Sequence, residues 1–187
     1  MAQKKYAIVG VPGSASRFVG CIFDLYINGY KEFTPMQTGS MHLATLSRNI
    51  EPTHKVDGYA DYCRILIAYD EDDIETIIRM DFNKAVTMWW PSVYKAIAGD
   101  DWPEYSVDLL NDEKIKQDIL NLKRNSARDW IKNADRSKFD FIIDFKTIMS
   151  GNINQQIAEF LNKSIELAIG NFVQRYQECN KKIYGNS

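Results

Sequence analysis

Between the first apolar run of the chain and its first helical pattern stands Gly10-Val11-Pro12-Gly13-Ser14-Ala15-Ser16-Arg17. Its composition suits an oxyanion. Small residues let a phosphate or sulfate approach the backbone, N–H groups at a helix start point toward it, and two hydroxyls can donate. Arg17 adds a guanidinium able to grip two oxygens at once. The segment is not a Walker A loop. Gly10 is in place, but Ala15, Ser16 and Arg17 stand where GxxxxGK[ST] has its second glycine, lysine and hydroxyl. Without that lysine and metal-binding hydroxyl, the usual ATPase or kinase mechanism lacks its main parts. GxGxxG is absent too. The plainer alternative is that Gly13 and the serines only turn the chain and start a helix.

Three other groups could carry chemistry. The run Asp70-Glu71-Asp72-Asp73 has the oxygen ligands magnesium takes, but at a helix start such acids more simply cap N–H groups and complement the dipole, so no metal is expected. Trp89, Trp90, Trp102 and Tyr105 gather around a Pro-containing region and read as core or interface aromatics, an acceptor pocket being the alternative. Cys21, Cys63 and Cys179 are odd in number and lack CxxC spacing, which fits reduced thiols better than a disulfide framework or a zinc site.

The elements that must position these residues follow from periodicity. Tyr6-Ala7-Ile8-Val9 is apolar without alternation, as a strand buried on both faces of a parallel sheet requires. Arg17 to Tyr30 has Phe18, Val19, Ile22, Phe23, Tyr26 and Ile27 at helical spacing, closed by Gly29. Residues 31–45 read as an irregular connection. Leu46 to Glu51 is a candidate second strand stopping at Pro52-Thr53-His54, and Cys63 to Tyr69 is a strong third. A helix from the acidic run through Trp89, a loop over Gly99 to Asn111 and a polar helix over Asp112 to Asn133 come next. Phe139 to Phe145 reads as a further strand. Helical patterns follow around Ile153 to Leu161 and in a C-terminal helix capped by Ser164, with Ile165, Ile169 and Phe172 on one face. The order predicts an α/β fold: a small open parallel sheet of about four strands flanked by helices.

Composition sets the outer limits. The 187 residues suit a single domain over 1–187, and 45% hydrophobic residues suffice for a sizeable core. A net charge of −2 argues against a dedicated nucleic-acid binder. No uncharged apolar stretch reaches the length of a membrane span, and MAQKKYAIVG has too short an apolar run for an export signal. The expectation is a cytoplasmic protein with no nucleic-acid or membrane partner.

Taken together, these segments resemble the sulfotransferase family, nearly throughout the chain in element order and most closely its small bacterial and phage-type members. That family has a strand, Pro-Lys/Arg-Ser-Gly-Thr/Ser-Thr/Ser and a helix. Pro12, Ser14 and Ser16 match this loop, while Gly13, Ala15 and Arg17 replace the basic residue, the glycine and the last hydroxyl. Thr53-His54, nine residues before Cys63, is similar to the family's Lys-Thr-His. Arg64 to Tyr69 before the acidic helix start, and Phe141 to Ile148 before the helix to Leu161, resemble two later segments. The resemblance implies a P-loop, three-layer α/β architecture and transfer of a sulfuryl group from 3′-phosphoadenosine 5′-phosphosulfate to a hydroxyl of a small molecule or glycan. It implies His54 as general base, Pro12, Gly13, Ser14, Ala15, Ser16 and Arg17 around the donor's phosphosulfate, and Arg17, with Lys55 as an adjunct, as the catalytic cation. Two positions depart from it. Tyr69 and Ile77 stand where the family holds the 3′-phosphate with Arg and Ser, and the acidic run adds negative charge there. The family's C-terminal Arg-x-Gly-x-x-Gly segment has no counterpart. A catalytically degenerate binding or assembly module, with a protein partner, is the alternative these departures imply.

Overall fold

The computed structural model describes residues 3–12, 15–29, 46–78 and 112–165. Its centre is a four-stranded sheet of β1 (Tyr6–Val9), β2 (Ile50–Thr53), β3 (Cys63–Ala68) and β4 (Phe141–Asp144), in the order β2-β1-β3-β4. All three pairings are parallel, with Val9 opposite both Thr53 and Leu66, and Ala68 opposite Asp144. Every β1 residue is buried, and so is every β3 residue except the half-buried Arg64, which is why these strands read as unbroken apolar runs.

The second strand is displaced from its expected place. It runs through Pro52 to Thr53 instead of stopping before the proline. Among the described residues β2 pairs with β1 alone, so Pro52 lies on an edge strand, where a missing N–H is tolerated.

Helix α1 (Ser16–Asn28) returns the chain from β1 to β2 and buries Phe18, Val19, Ile22, Phe23 and Tyr26. Gly20 allows it to come close: a Cβ there would stand 3.1 Å from Leu46 Cδ1. The helix ends as expected at Gly29, in the left-handed conformation (φ 65°) with its N–H on the Leu25 carbonyl. Beyond β3, a short 3-10 turn (Glu71–Asp73) leads into helical residues 74–78. α2 (Glu113–Asn133) matches its predicted span closely.

The last expected strand is shorter than Phe139 to Phe145. β4 ends at Asp144, and α3 (Phe145–Ser150) begins at once, closed by Gly151 at φ 86° and followed by α4 (Ile153–Leu161). Phe139 lies under the Arg64 guanidinium instead, 4.6 Å from the ring centroid, and Phe145 is buried as a helical residue against Tyr69. A short apolar run carries no period to separate these outcomes. α1 and α4 are joined in the core by the Tyr26 hydroxyl, which donates to Asn154 Oδ1 at 2.7 Å.

The connection 31–45 with His42, the predicted helix beyond residue 78, the loop 99–111, the aromatics Trp89, Trp90, Trp102 and Tyr105, Cys179 and the C-terminal helix lie outside the described residues. No helix among the described residues is long and apolar enough to cross a membrane.

Candidate functional site

Ligands of open parallel sheets sit beyond the carboxyl ends of the strands, where the strand order reverses. Here that point lies at β1, since the chain moves from β1 to β2 on one side and then to β3 on the other. The β1 and β2 ends are locked together, with the Gly10 N–H donating to the Thr53 carbonyl at 3.1 Å. One residue further, the His54 ring meets β1 again: Nδ1 lies 2.7 Å from the Gly10 carbonyl oxygen. A carbonyl can only accept, so Nδ1 is the protonated nitrogen in this contact, and a ring carrying one proton has its lone pair at Nε2. From α2, Trp130 Nε1–H donates to the His54 carbonyl at 2.9 Å. Thr53 is buried and its hydroxyl accepts from the Lys55 N–H at 3.2 Å, while Lys55 is exposed.

The loop after β1 leaves a buried Val11 and an exposed Pro12; Gly13 and Ser14 fall outside the described residues. Ala15 is the N-cap of α1 and adopts φ 64°, ψ 17°, with no side-chain cap. That is the left-handed region which costs an L-residue and suits glycine. Alanine here retains the backbone shape that glycine takes readily. Ser16 is buried and Arg17 half-buried in the first helical turn. One turn on, burial pushes the Cys21 thiol up to about 12, against the opposing charge of Arg17, so this thiol is inert.

A cleft of about 90 Å³ opens beside the loop, lined by Val11, Pro12, Ile77, Ile78, Lys123, Ser126 and Ala127. α2 supplies its polar rim. Residues 123, 126, 127 and 130 share one face of that helix, so the wall of the cleft and the Trp130 bond to His54 belong to one element.

The corner after β3, where the resemblance departs at Tyr69 and Ile77, is built of core side chains and ion pairs. Tyr69 is 4% exposed, with its ring 5.9 Å from Trp130 and 5.4 Å from Phe145, and Ile77 is 1% exposed. Both positions build the core and offer no surface to a 3′-phosphate. The acidic run is also not a bare negative patch. Asp70 pairs with Lys146 at 2.8 Å, Glu71 with Arg128 at 2.7 Å, and Glu75 with Arg124 at 2.6 Å. Asp73 is buried and accepts the Asp70 N–H at 2.8 Å. The bond and charge of Lys146 hold the Asp70 carboxyl below its ordinary range, and Asp70 raises Lys146 in return. The Glu75 carboxylate likewise raises Arg124. These pairs fasten α2 and α3 to the end of β3. Among the described residues no group of three His, Cys, Asp or Glu side chains could hold a metal ion.

The structure thus brings His54 to the root of the loop that carries Pro12, Ala15, Ser16 and Arg17. Sequence reasoning missed Trp130, Lys123 and Ser126. All three lie on the polar helix predicted over Asp112 to Asn133, and the only signal for them was their spacing on one helix face. Compared with family models, curated proteins and solved structures, the chain matches none.

Proposed function

We propose that the protein transfers a sulfuryl group from 3′-phosphoadenosine 5′-phosphosulfate to a hydroxyl of a small molecule or glycan, in the cytoplasm of a bacterial cell or of a phage host. The observation that carries this reading is the 2.7 Å contact between His54 Nδ1 and the Gly10 carbonyl, which ties a base to the first residue of the oxyanion-type loop. The residues of that loop fit the phosphosulfate end of the donor: the left-handed Ala15 shapes the turn into α1, and Arg17 stands in the first turn. Bound there, the donor supplies an activated sulfuryl group with a phosphate leaving group. His54 Nε2 takes the proton of the acceptor hydroxyl, and the Gly10 carbonyl stabilises the imidazolium that forms by keeping its Nδ1–H bond. Arg17 and the helix-start N–H groups balance charge on the transferring oxygens.

The test is sulfuryl transfer from labelled donor to a panel of phenols and sugars, with wild type and His54→Ala. General-base removal costs about 10²–10⁴-fold in rate. Turnover that His54→Ala leaves unchanged overturns the mechanism.

A second reading, a sulfotransferase-like module that binds or assembles without catalysis, is favoured by one observation: Tyr69 and Ile77 are consumed by the core. It predicts no nucleotide binding and a persistent complex with a protein partner. Tight donor binding by a monomer removes it.

A further inference from the structure

His54 stands one residue past the last ladder bond of β2, on an exposed stretch, so the sheet does not fix it. Two contacts do. The ring is held at Nδ1 by the Gly10 carbonyl, and the main chain is held at its carbonyl by the Trp130 indole N–H. The second contact spans 76 residues of sequence and comes from a well-anchored group. The Trp130 ring meets buried Tyr69 nearly edge-on, at 74°, and α2 is tied to the segment after β3 by Arg124–Glu75 and Arg128–Glu71. The bond gives the half-buried indole N–H its acceptor and in the same stroke fixes the backbone of residue 54, as a base whose Nε2 must face a reacting hydroxyl requires.

We infer that Trp130 is a positioning residue for His54, holding residue 54 where its ring reaches the Gly10 carbonyl and so setting the Nδ1–H tautomer that leaves Nε2 as the base. The inference rests on the sulfuryl-transfer reading for its purpose, and its geometry can be tested without it. Loss of the indole N–H frees the His54 carbonyl, residue 54 swings from Gly10, and the ring relaxes to the mixed tautomers of a solvated imidazole.

The experiment is nitrogen NMR of the imidazoles in ¹⁵N-labelled full-length protein, with His42→Gln to assign the two histidines. Wild type is compared with Trp130→Phe and with Trp130 replaced by benzothienylalanine, which keeps the indole shape without the N–H. The isostere answers the question should the phenylalanine variant fail to fold. Expected is a single Nδ1–H signature for wild-type His54 and a mixed signature in either variant. Where transfer is measurable, kcat falls about tenfold with donor KM unchanged, as for a misplaced catalytic group. A folded variant with the wild-type signature overturns the inference and leaves the functional reading standing. A wild-type ring protonated at Nε2 overturns both. A wild type without transfer activity overturns the functional reading, and the spectra still decide the positioning.

Discussion

Ala15 and Gly29 bracket helix α1 in the same backbone conformation, φ 64° and φ 65°, one as an L-residue and one as glycine. Exchanging their types therefore gives two substitutions of opposite sign. The left-handed conformation costs an L-residue roughly 1–2 kcal/mol that glycine avoids, while glycine adds about 0.4–1 kcal/mol of unfolded-state entropy. For Gly29→Ala nothing among the described residues lies within 4 Å of the new Cβ, so backbone terms set the expectation. The expected loss is their difference, about 0.8 kcal/mol. For Ala15→Gly the same difference is a gain. The half-buried methyl packs against the core, and losing it removes a few tenths, leaving a net gain of about 0.5 kcal/mol. Urea unfolding reads both: at about 2.5 kcal/mol/M, the midpoint rises by about 0.2 M for Ala15→Gly and falls by about 0.3 M for Gly29→Ala. If both variants shift the same way, or if Ala15→Gly lowers the midpoint, residue 15 is not left-handed and the loop does not have the shape on which the oxyanion reading depends.

Tyr26→Phe leaves Asn154 Oδ1 buried without its 2.7 Å donor, and thermal or urea unfolding should show a loss of about 1–3 kcal/mol. Little change would mean that the α1–α4 joint is wet. Lys146→Met removes the partner that holds the Asp70 carboxyl low, so its titration followed by carbon NMR should move up toward the ordinary aspartate range. The sign follows from linkage. A depressed carboxyl contributes stability that is fully present above its unfolded pKa and is lost as pH falls through the folded one, so the variant should lose part of its acid-dependent destabilisation below about pH 4. An unmoved Asp70 titration would show that the pair does not form in solution.

The sheet was legible because its inner strands carry no polar residues to spare: Tyr6–Val9 is buried throughout, and only Arg64 interrupts the burial of β3. α1 was legible through its apolar spacing and its closing glycine. What escaped reading was set by tertiary context. Pro52 sits inside a strand because β1 is the only described neighbour of β2, a fact of strand order that local sequence does not carry. Phe145 opens a helix because its ring packs on Tyr69, although Phe141 to Phe145 is as apolar as a strand. At the site, the proximity of His54 to the loop was suggested by resemblance alone, whereas the bond to Gly10 that fixes its tautomer joins residues 44 apart. Trp130 was hidden for the same reason. Helical periodicity assigns a face to a side chain but not a hydrogen-bond partner on another element.

The most direct test of the central claim is calorimetric titration of wild type and Arg17→Ala with 3′-phosphoadenosine 5′-phosphate, the desulfated donor. Expected is micromolar binding to wild type, weakened by about 1.5–3 kcal/mol in Arg17→Ala, the scale of a hydrogen bond to a charged group. No binding at millimolar ligand, or binding that Arg17→Ala leaves unchanged, would contradict it.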